Sequence, residues 1–197
     1  MTFQEIKQRL RRKSVGIAGC GGLGSNCAVA LARVGVGRLV IVDFDAVTVS
    51  NLNRQYFFLD QIGMKKVEAL RENIRRIDPA IGVEVADVKL TPDLLPGLFA
   101  SCDVVVEAFD RADQKEMLIE TMLKDFPEKP LVVGLGVAGW GRTDLVHFRK
   151  SGNLYICGDE VSEISVELPP LAPRVGMVAN MQANVVVEIL LSSEVAR

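Results

Sequence analysis

Apolar side chains fall in two rhythms along the chain, compact runs of strand length and spacings of three and four, and the two take turns. Residues 3–12 place Phe3, Ile6 and Leu10 on one side, which predicts a short one-sided helix. Ser14 to Ala18 reads as a buried strand and runs straight into Gly19-Cys20-Gly21-Gly22-Leu23-Gly24. Leu23 to Val34 predicts a helix of small residues, with Val29 and Leu31, broken by Gly35 and Gly37. Residues 38–43 are nearly all apolar, as in a strand covered on both faces. Asp45 to Asp60 is long for a connection, which points to a functional loop. Residues 65–77 return to helical spacing through Val67, Leu70, Ile74 and Ile77 and stop at Asp78-Pro79. Strands are predicted at Gly82–Ala86, Asp103–Glu107 and Leu131–Gly134, with a helical turn near 92–98 and a helix over 112–125.

After Gly139 the alternation changes. Residues 143–148 and 154–157 read as short antiparallel strands around Ser151-Gly152-Asn153. A polar stretch with Pro169, Pro170 and Pro173 precedes a last helix over about 174–191, with Val175, Val178, Val185, Val186 and Ile189 on its apolar side. The order argues for a Rossmann-like, doubly wound α/β fold: a parallel-led mixed sheet, helices on both faces, and a C-terminal antiparallel hairpin plus helix. One domain over 1–197 is expected, with an N-terminal helix (1–12), a nucleotide-binding core (13–135) and a C-terminal part (136–197).

Composition narrows the function classes. The formal charge of −2 gives no general reason to bind nucleic acid. Cys20, Cys27, Cys102 and Cys157 form no CxxC pair, so neither structural zinc nor a disulfide framework is indicated. No apolar run approaches the roughly 20 residues of a membrane span, and MTFQEIKQRLRRK lacks the apolar stretch of a secretory signal, so a cytoplasmic setting is expected. The basic run Arg9, Arg11, Arg12 and Lys13 reads first as a solvated helix face.

Gly19, Gly21 and Gly24 satisfy G-x-G-x-x-G between a predicted strand and a predicted helix. Such glycines allow a tight turn, close approach of backbone N–H groups to phosphate, and tight helix–strand packing. Asp43 ends the second strand 19 residues after Gly24, where an acid can accept hydrogen bonds from ribose hydroxyls. These features indicate an adenine nucleotide and, alone, would favour NAD. Arg54, Lys66 and Asp110 change that reading, because a triphosphate needs cationic donors and a carboxylate for Mg²⁺, whereas hydride transfer does not. His147 is the single histidine and sits in an alternating segment, which suits a structural role. Cys157, in an apparently polar loop, is a candidate nucleophile for sulfur or thioester chemistry. Cys20 reads as a small filler within the glycine loop.

Together these residues resemble the ThiF/MoeB/HesA family, the prokaryotic E1-like adenylyltransferases. The resemblance rests on Gly19 to Ser25, Val42-Asp43-Phe44-Asp45, Ser50-Asn51-Leu52-Asn53-Arg54-Gln55, Gly63-x-x-Lys66 and the Asp110 segment. It spans about residues 10–135, with a weaker echo in Ala172-Pro173-Arg174-Val175-Gly176 and the final helix. It implies an enzyme that uses ATP and Mg²⁺ to adenylate the Gly-Gly carboxylate of a small ubiquitin-like sulfur carrier, releasing pyrophosphate. By motif, Gly22 would lie against the phosphates, Asp43 would hold the ribose, Arg54 and Lys66 would neutralise phosphate charge, and Asp110 would bind Mg²⁺. Asp45, Asn51 and Asn53 would shape the same pocket. The resemblance further implies a homodimer, with Arg9, Arg11 or Arg12 reaching the partner's site.

The chain departs from that pattern in lacking the two CxxC zinc pairs, in its short length, and in carrying Arg111 after Asp110. Its build is most similar to the short ThiF-like branch, with a ThiS-like carrier in thiamine thiazole synthesis. The alternatives are a molybdopterin-synthase-type carrier, a tRNA-modifying E1-like enzyme, an NAD-dependent oxidoreductase, and a non-catalytic scaffold for a ubiquitin-like protein.

Overall fold

The computed structural model describes residues 1–192. In chain order it contains α1 (Phe3–Leu10), β1 (Ser14–Ala18), α2 (Gly22–Val34), β2 (Arg38–Asp43), α3 (Lys66–Ile77), β3 (Gly82–Asp87), α4 (Leu95–Phe99), β4 (Val104–Glu107), α5 (Ala112–Asp125), β5 (Leu131–Leu135), β6 (His147–Ser151), β7 (Leu154–Gly158) and α6 (Ala172–Ser192). The seven strands form one sheet in the order β3-β2-β1-β4-β5-β7-β6. All neighbours are parallel except β6 and β7, so the expected parallel-led mixed sheet with a terminal hairpin is what forms. Helices cover both faces: α2, α3 and α6 pack into one buried cluster, α4 and α5 into the other.

Local chemistry explains the elements. Thr2 caps α1 in a reciprocal box with Glu5, whose carboxylate accepts from the Thr2 N–H at 2.7 Å. β1 is buried at every position, and Gly16 within it leaves room for the Phe99 ring; a Cβ there would lie 2.5 Å from Phe99 Cδ1. α3 buries Val67, Leu70 and Ile74 at the spacing read from the sequence. On α1 only Leu10 is fully covered, with Ile6 partly buried against the same cluster, while Phe3 at the start of the helix stays 57% exposed.

Two expectations change. The strand placed at 143–148 is a 3-10 turn at Thr143–Leu145 followed by β6, which pairs His147 with Gly158 and Ser151 with Leu154. The last helix has 21 residues and is long and apolar enough by composition to cross a membrane, contrary to the reading that no run approaches that length. Its apolar side, however, packs within the same buried cluster as α2, with Val175, Val178, Val185 and Val186 buried.

The strand order places β1 beside β2 on one side and β4 on the other, so chain progression reverses between β1 and β4. Open α/β sheets bind ligands beyond the carboxyl ends of the strands at such a point.

Candidate nucleotide site

The glycine loop occupies this reversal. Gly19 adopts φ +97, a left-handed conformation that a side chain would strain. Gly24, in the first turn of α2, lies so close to the Gly19 carbonyl that a Cβ would stand 1.8 Å from its oxygen. The N-cap of α2 is Gly21, with no side chain to occupy the helix's unpaired N–H groups. The start of α2 is thus open to an anion.

Asp43 binds the loop before it can bind anything else. Its Oδ2 accepts from the Cys20 N–H at 2.6 Å, and its Oδ1 accepts from the Asp45 N–H at 2.8 Å. Each carboxylate oxygen retains a lone pair for a ribose hydroxyl. Cys20 is fully buried, and burial, then the Asp43 carboxylate, push its thiol well above the usual range. It is a neutral filler, as read from the sequence.

Beyond β2, β3 and β4 lies a cleft of about 210 Å³. Phe44, Val88, Leu90 and Phe109 give it apolar walls, and Asp43, Asp45 and Asp110 line it as well. An apolar slot with a few convergent polar groups is the usual form of a small-molecule site. Asp110 is exposed on the turn between β4 and α5. The turn is anchored from below: the fully buried Glu107 accepts from the Phe109 N–H at 2.7 Å and pairs with Lys115 at 2.8 Å. Lys115 also donates to the Gly134 carbonyl at 2.8 Å. Burial raises the Glu107 carboxyl above its ordinary value even with Lys115 opposing it.

The two cations reach the loop from different segments. Lys66, the first residue of α3, is 6% exposed, and its Nζ lies 2.7 Å from Asp45 Oδ2. The stem of Arg54 passes within 3.6 Å of where a Cβ on Gly22 would be. Its guanidinium donates to Asn53 Oδ1 at 2.8 Å and to the Ser50 carbonyl at 3.2 Å. Asn51 accepts from the Thr48 N–H at 2.9 Å and closes the preceding turn. Arg54, Asn51 and Asn53 therefore form one segment beside the loop, with Lys66 and Asp45 on the strand-two side.

Sequence reasoning missed what staples that segment down. Ser25 donates to the Gly21 carbonyl and accepts from the Tyr56 N–H at 2.9 Å. Asn26 donates to both the Gly22 carbonyl at 2.7 Å and the Arg54 carbonyl at 2.9 Å. The signal was present: two adjacent polar residues near the start of an otherwise small, apolar helix.

Other candidates lie elsewhere. Cys157 is not in a polar loop; it is on β7, opposite Phe148 and beside Gly134, and fully buried. Burial pushes its thiol up to about 12, which removes the thiolate that a nucleophile needs. His147 is exposed, with Nδ1 2.7 Å from the Leu145 carbonyl and Nε2 3.0 Å from Glu160. The basic run is not a uniformly solvated face. Arg9 donates to the Leu191 carbonyl at 3.0 Å and Arg11 pairs with Asp78 at 3.1 Å, both near the end of the sheet where β1 begins. Arg9, Arg11 and Arg12 thus stand at the opposite end of β1 from the glycine loop. Among the described residues, no group of three His, Cys, Asp or Glu side chains is arranged to hold a metal unaided.

Comparison with known proteins places this geometry. The molybdopterin-synthase adenylyltransferase of Salmonella typhimurium is 30% identical over 191 residues, covering 94% of this chain and 76% of that one. The tRNA threonylcarbamoyladenosine dehydratase of Escherichia coli is 38% identical over 125 residues, 62% of this chain and 46% of that one. Among solved structures, E. coli tRNA N6-threonylcarbamoyladenosine dehydratase in complex with ATP matches with a TM-score of 0.88 at 21% identity, over 98% of this chain and 92% of that one. The ThiF family pattern itself matches residues 2–196. The chain belongs to the ThiF family.

Proposed function

We propose that this protein is an E1-like adenylyltransferase that uses ATP to activate the C-terminal carboxylate of a small, Gly-Gly-tailed ubiquitin-like sulfur carrier, of the ThiS type in thiazole synthesis. The observation that carries the reading is the placement of Arg54 against Gly22, with Lys66 close by on Asp45. A glycine loop flanked by two cations suits a triphosphate whose pyrophosphate must leave, whereas hydride transfer builds up no charge on phosphate.

The chemistry asks little more of the chain. The carrier's carboxylate is ionised at neutral pH, so no general base is required. One of its oxygens forms a bond to the α-phosphorus while the bond to the bridging oxygen breaks, giving an acyl-adenylate and pyrophosphate. Arg54 and Lys66 offset the charge that accumulates on the departing pyrophosphate, and the open start of α2 orients the phosphates. Asp43 holds both the loop and the ribose. Mg²⁺ bound with the nucleotide would supply further charge neutralisation. Asp110, an exposed carboxylate on the cleft, suits an ion that commonly takes one or two carboxylates plus substrate phosphates.

The test is carrier-dependent exchange of labelled pyrophosphate into ATP, with ThiS-like and molybdopterin-synthase-type carriers run side by side. Exchange with neither, from folded protein, overturns the reading; exchange with the second alone moves the pathway. The relative named as a tRNA-modifying enzyme favours one further arm, in which tRNA replaces the carrier.

A further inference from the structure

We propose that Arg174 and Asp159 are a positioning pair for the polypeptide substrate, holding the loops after β5 and β7 in the shape that receives the carrier's C-terminal end beside the nucleotide. The inference rests on the function proposed above. Both loops leave the carboxyl ends of strands parallel to β1 and so emerge on the side of the glycine loop.

The pair is built into both loops at once. Arg174, 4% exposed in the first turn of α6, donates to the Gly141 carbonyl at 2.5 Å and pairs with Asp159. Asp159, also 4% exposed, accepts from the Val161 and Ser162 N–H groups at 3.0 and 2.8 Å. Gly136 is bare where a Cβ would stand 1.8 Å from Asp159 Oδ1. Two further ties join the loops: Ala138 N–H to Ser162 Oγ at 3.1 Å, and Gly139 N–H to the Pro169 carbonyl at 2.9 Å.

This arrangement is not the cheapest way to close a fold. Arg142 and Glu160 sit at φ 42 and φ 58, a region that side chains rarely adopt. The Arg174 Nε is buried with no acceptor among the described residues. Buried ion pairs are seldom more stabilising than apolar side chains of the same volume, so what this pair adds over an apolar one is a fixed geometry for the two loops. The geometry leads to the site, since the next residue, Val175, packs on Gly22, with its Cγ1 2.7 Å from the position of a Cβ there. On the outside, the loops turn apolar side chains to water: Trp140 at 65%, Val161 at 73%, Ile164 at 50% and Val166 at 92% exposure. An extended chain end crossing toward the α-phosphorus would run along these loops.

The full chain is compared as wild type, Arg174→Lys, Asp159→Asn, and the double variant Arg174→Met with Asp159→Leu, which strands no charge in the interior. Pyrophosphate exchange gives KM for carrier and for ATP, calorimetry gives ATP affinity without carrier, and limited proteolysis reads the loops. We expect carrier KM to rise about tenfold or more, ATP affinity to stay within about twofold, and cleavage in 136–146 and 160–168 to accelerate. Unchanged carrier KM, or a parallel loss of ATP affinity, overturns the pair's positioning role. Absence of exchange by the wild type overturns the proposed function instead; cleavage no faster in the variants then overturns the clasp independently.

Discussion

The Asp43 carboxylate accepts the Cys20 N–H at 2.6 Å, so the acid at the end of β2 fixes the shape of the phosphate loop as well as facing the cleft. Replacement by Ala therefore removes two functions. Asp43→Ala is expected to weaken ATP binding more than tenfold and to lower the melting temperature, because a charge-assisted hydrogen bond worth about 1.5–3 kcal/mol disappears with it. Asp43→Asn, which keeps one acceptor, falls between. Calorimetric titration with ATP and thermal melts of both variants check this; equal melting temperatures for Ala and wild type would remove the loop-fixing role.

Lys66 is buried while its partner Asp45 is half exposed. Loss of the ammonium leaves Asp45 free to hydrate, so Lys66→Met is expected to fold with nearly unchanged stability. Exchange of pyrophosphate should nonetheless fall about 10²-fold or more, as for other charge-stabilising donors. A large drop in melting temperature would instead make Lys66 a structural residue.

The opposite balance holds beneath Asp110. Lys115→Met leaves Glu107 alone in the interior, and loss of one partner of a buried pair costs about 3–5 kcal/mol. Adding Glu107→Gln should recover most of that stability in urea melts. Additive losses in the double variant would show that the two side chains act separately.

Asp159 supplies the pH dependence. Burial alone would raise its carboxyl, but the Ser162 and Val161 N–H groups and Arg174 outweigh burial and bring it down to about 2. The folded value is depressed, so its stabilisation is present above pH 4 and is lost as pH falls toward 2. That contribution is about 2 kcal/mol. Wild type should lose stability across this window more steeply than Asp159→Asn, and urea melts at pH 2, 3 and 4 compare the slopes.

Cys157 offers a negative result that is informative. With a buried thiol pushed up to about 12, native protein should resist alkylation there. Cys157→Ala should retain pyrophosphate exchange within about twofold, since a buried, neutral thiol takes no part in forming the adenylate. Rapid labelling of Cys157 in folded protein would contradict its placement on β7.

Much of this site was legible because its causes are local. Gly19 and Gly24 are glycine for reasons of backbone angle and of contact five residues apart, and both marks are written in one hexapeptide. The helical spacing of α3 and the apolar run of β2 likewise report burial directly. What escaped depends on partners far along the chain. Asn26 matters because Arg54 follows 28 residues later, and Arg174 because Asp159 and Gly141 are brought to it by two loops. Cys157 was misread through its neighbours, since Gly158 and Asp159 look like loop residues until Arg174 supplies the reason for burying an acid. The start of β6 was misplaced because an alternating hexapeptide cannot reveal that its first half is used as a turn.

The last helix joins two ends of the molecule that the chemistry keeps apart. Its first turn rests on Gly22 through Val175, and its final turn is held through the Leu191 carbonyl by Arg9. With 21 residues at about 1.5 Å each, it spans some 30 Å. One continuous element thus touches the glycine loop at its start and the N-terminal helix at its end. The N-terminal helix and the glycine loop, at opposite ends of the sheet, therefore share a single packed helix between them.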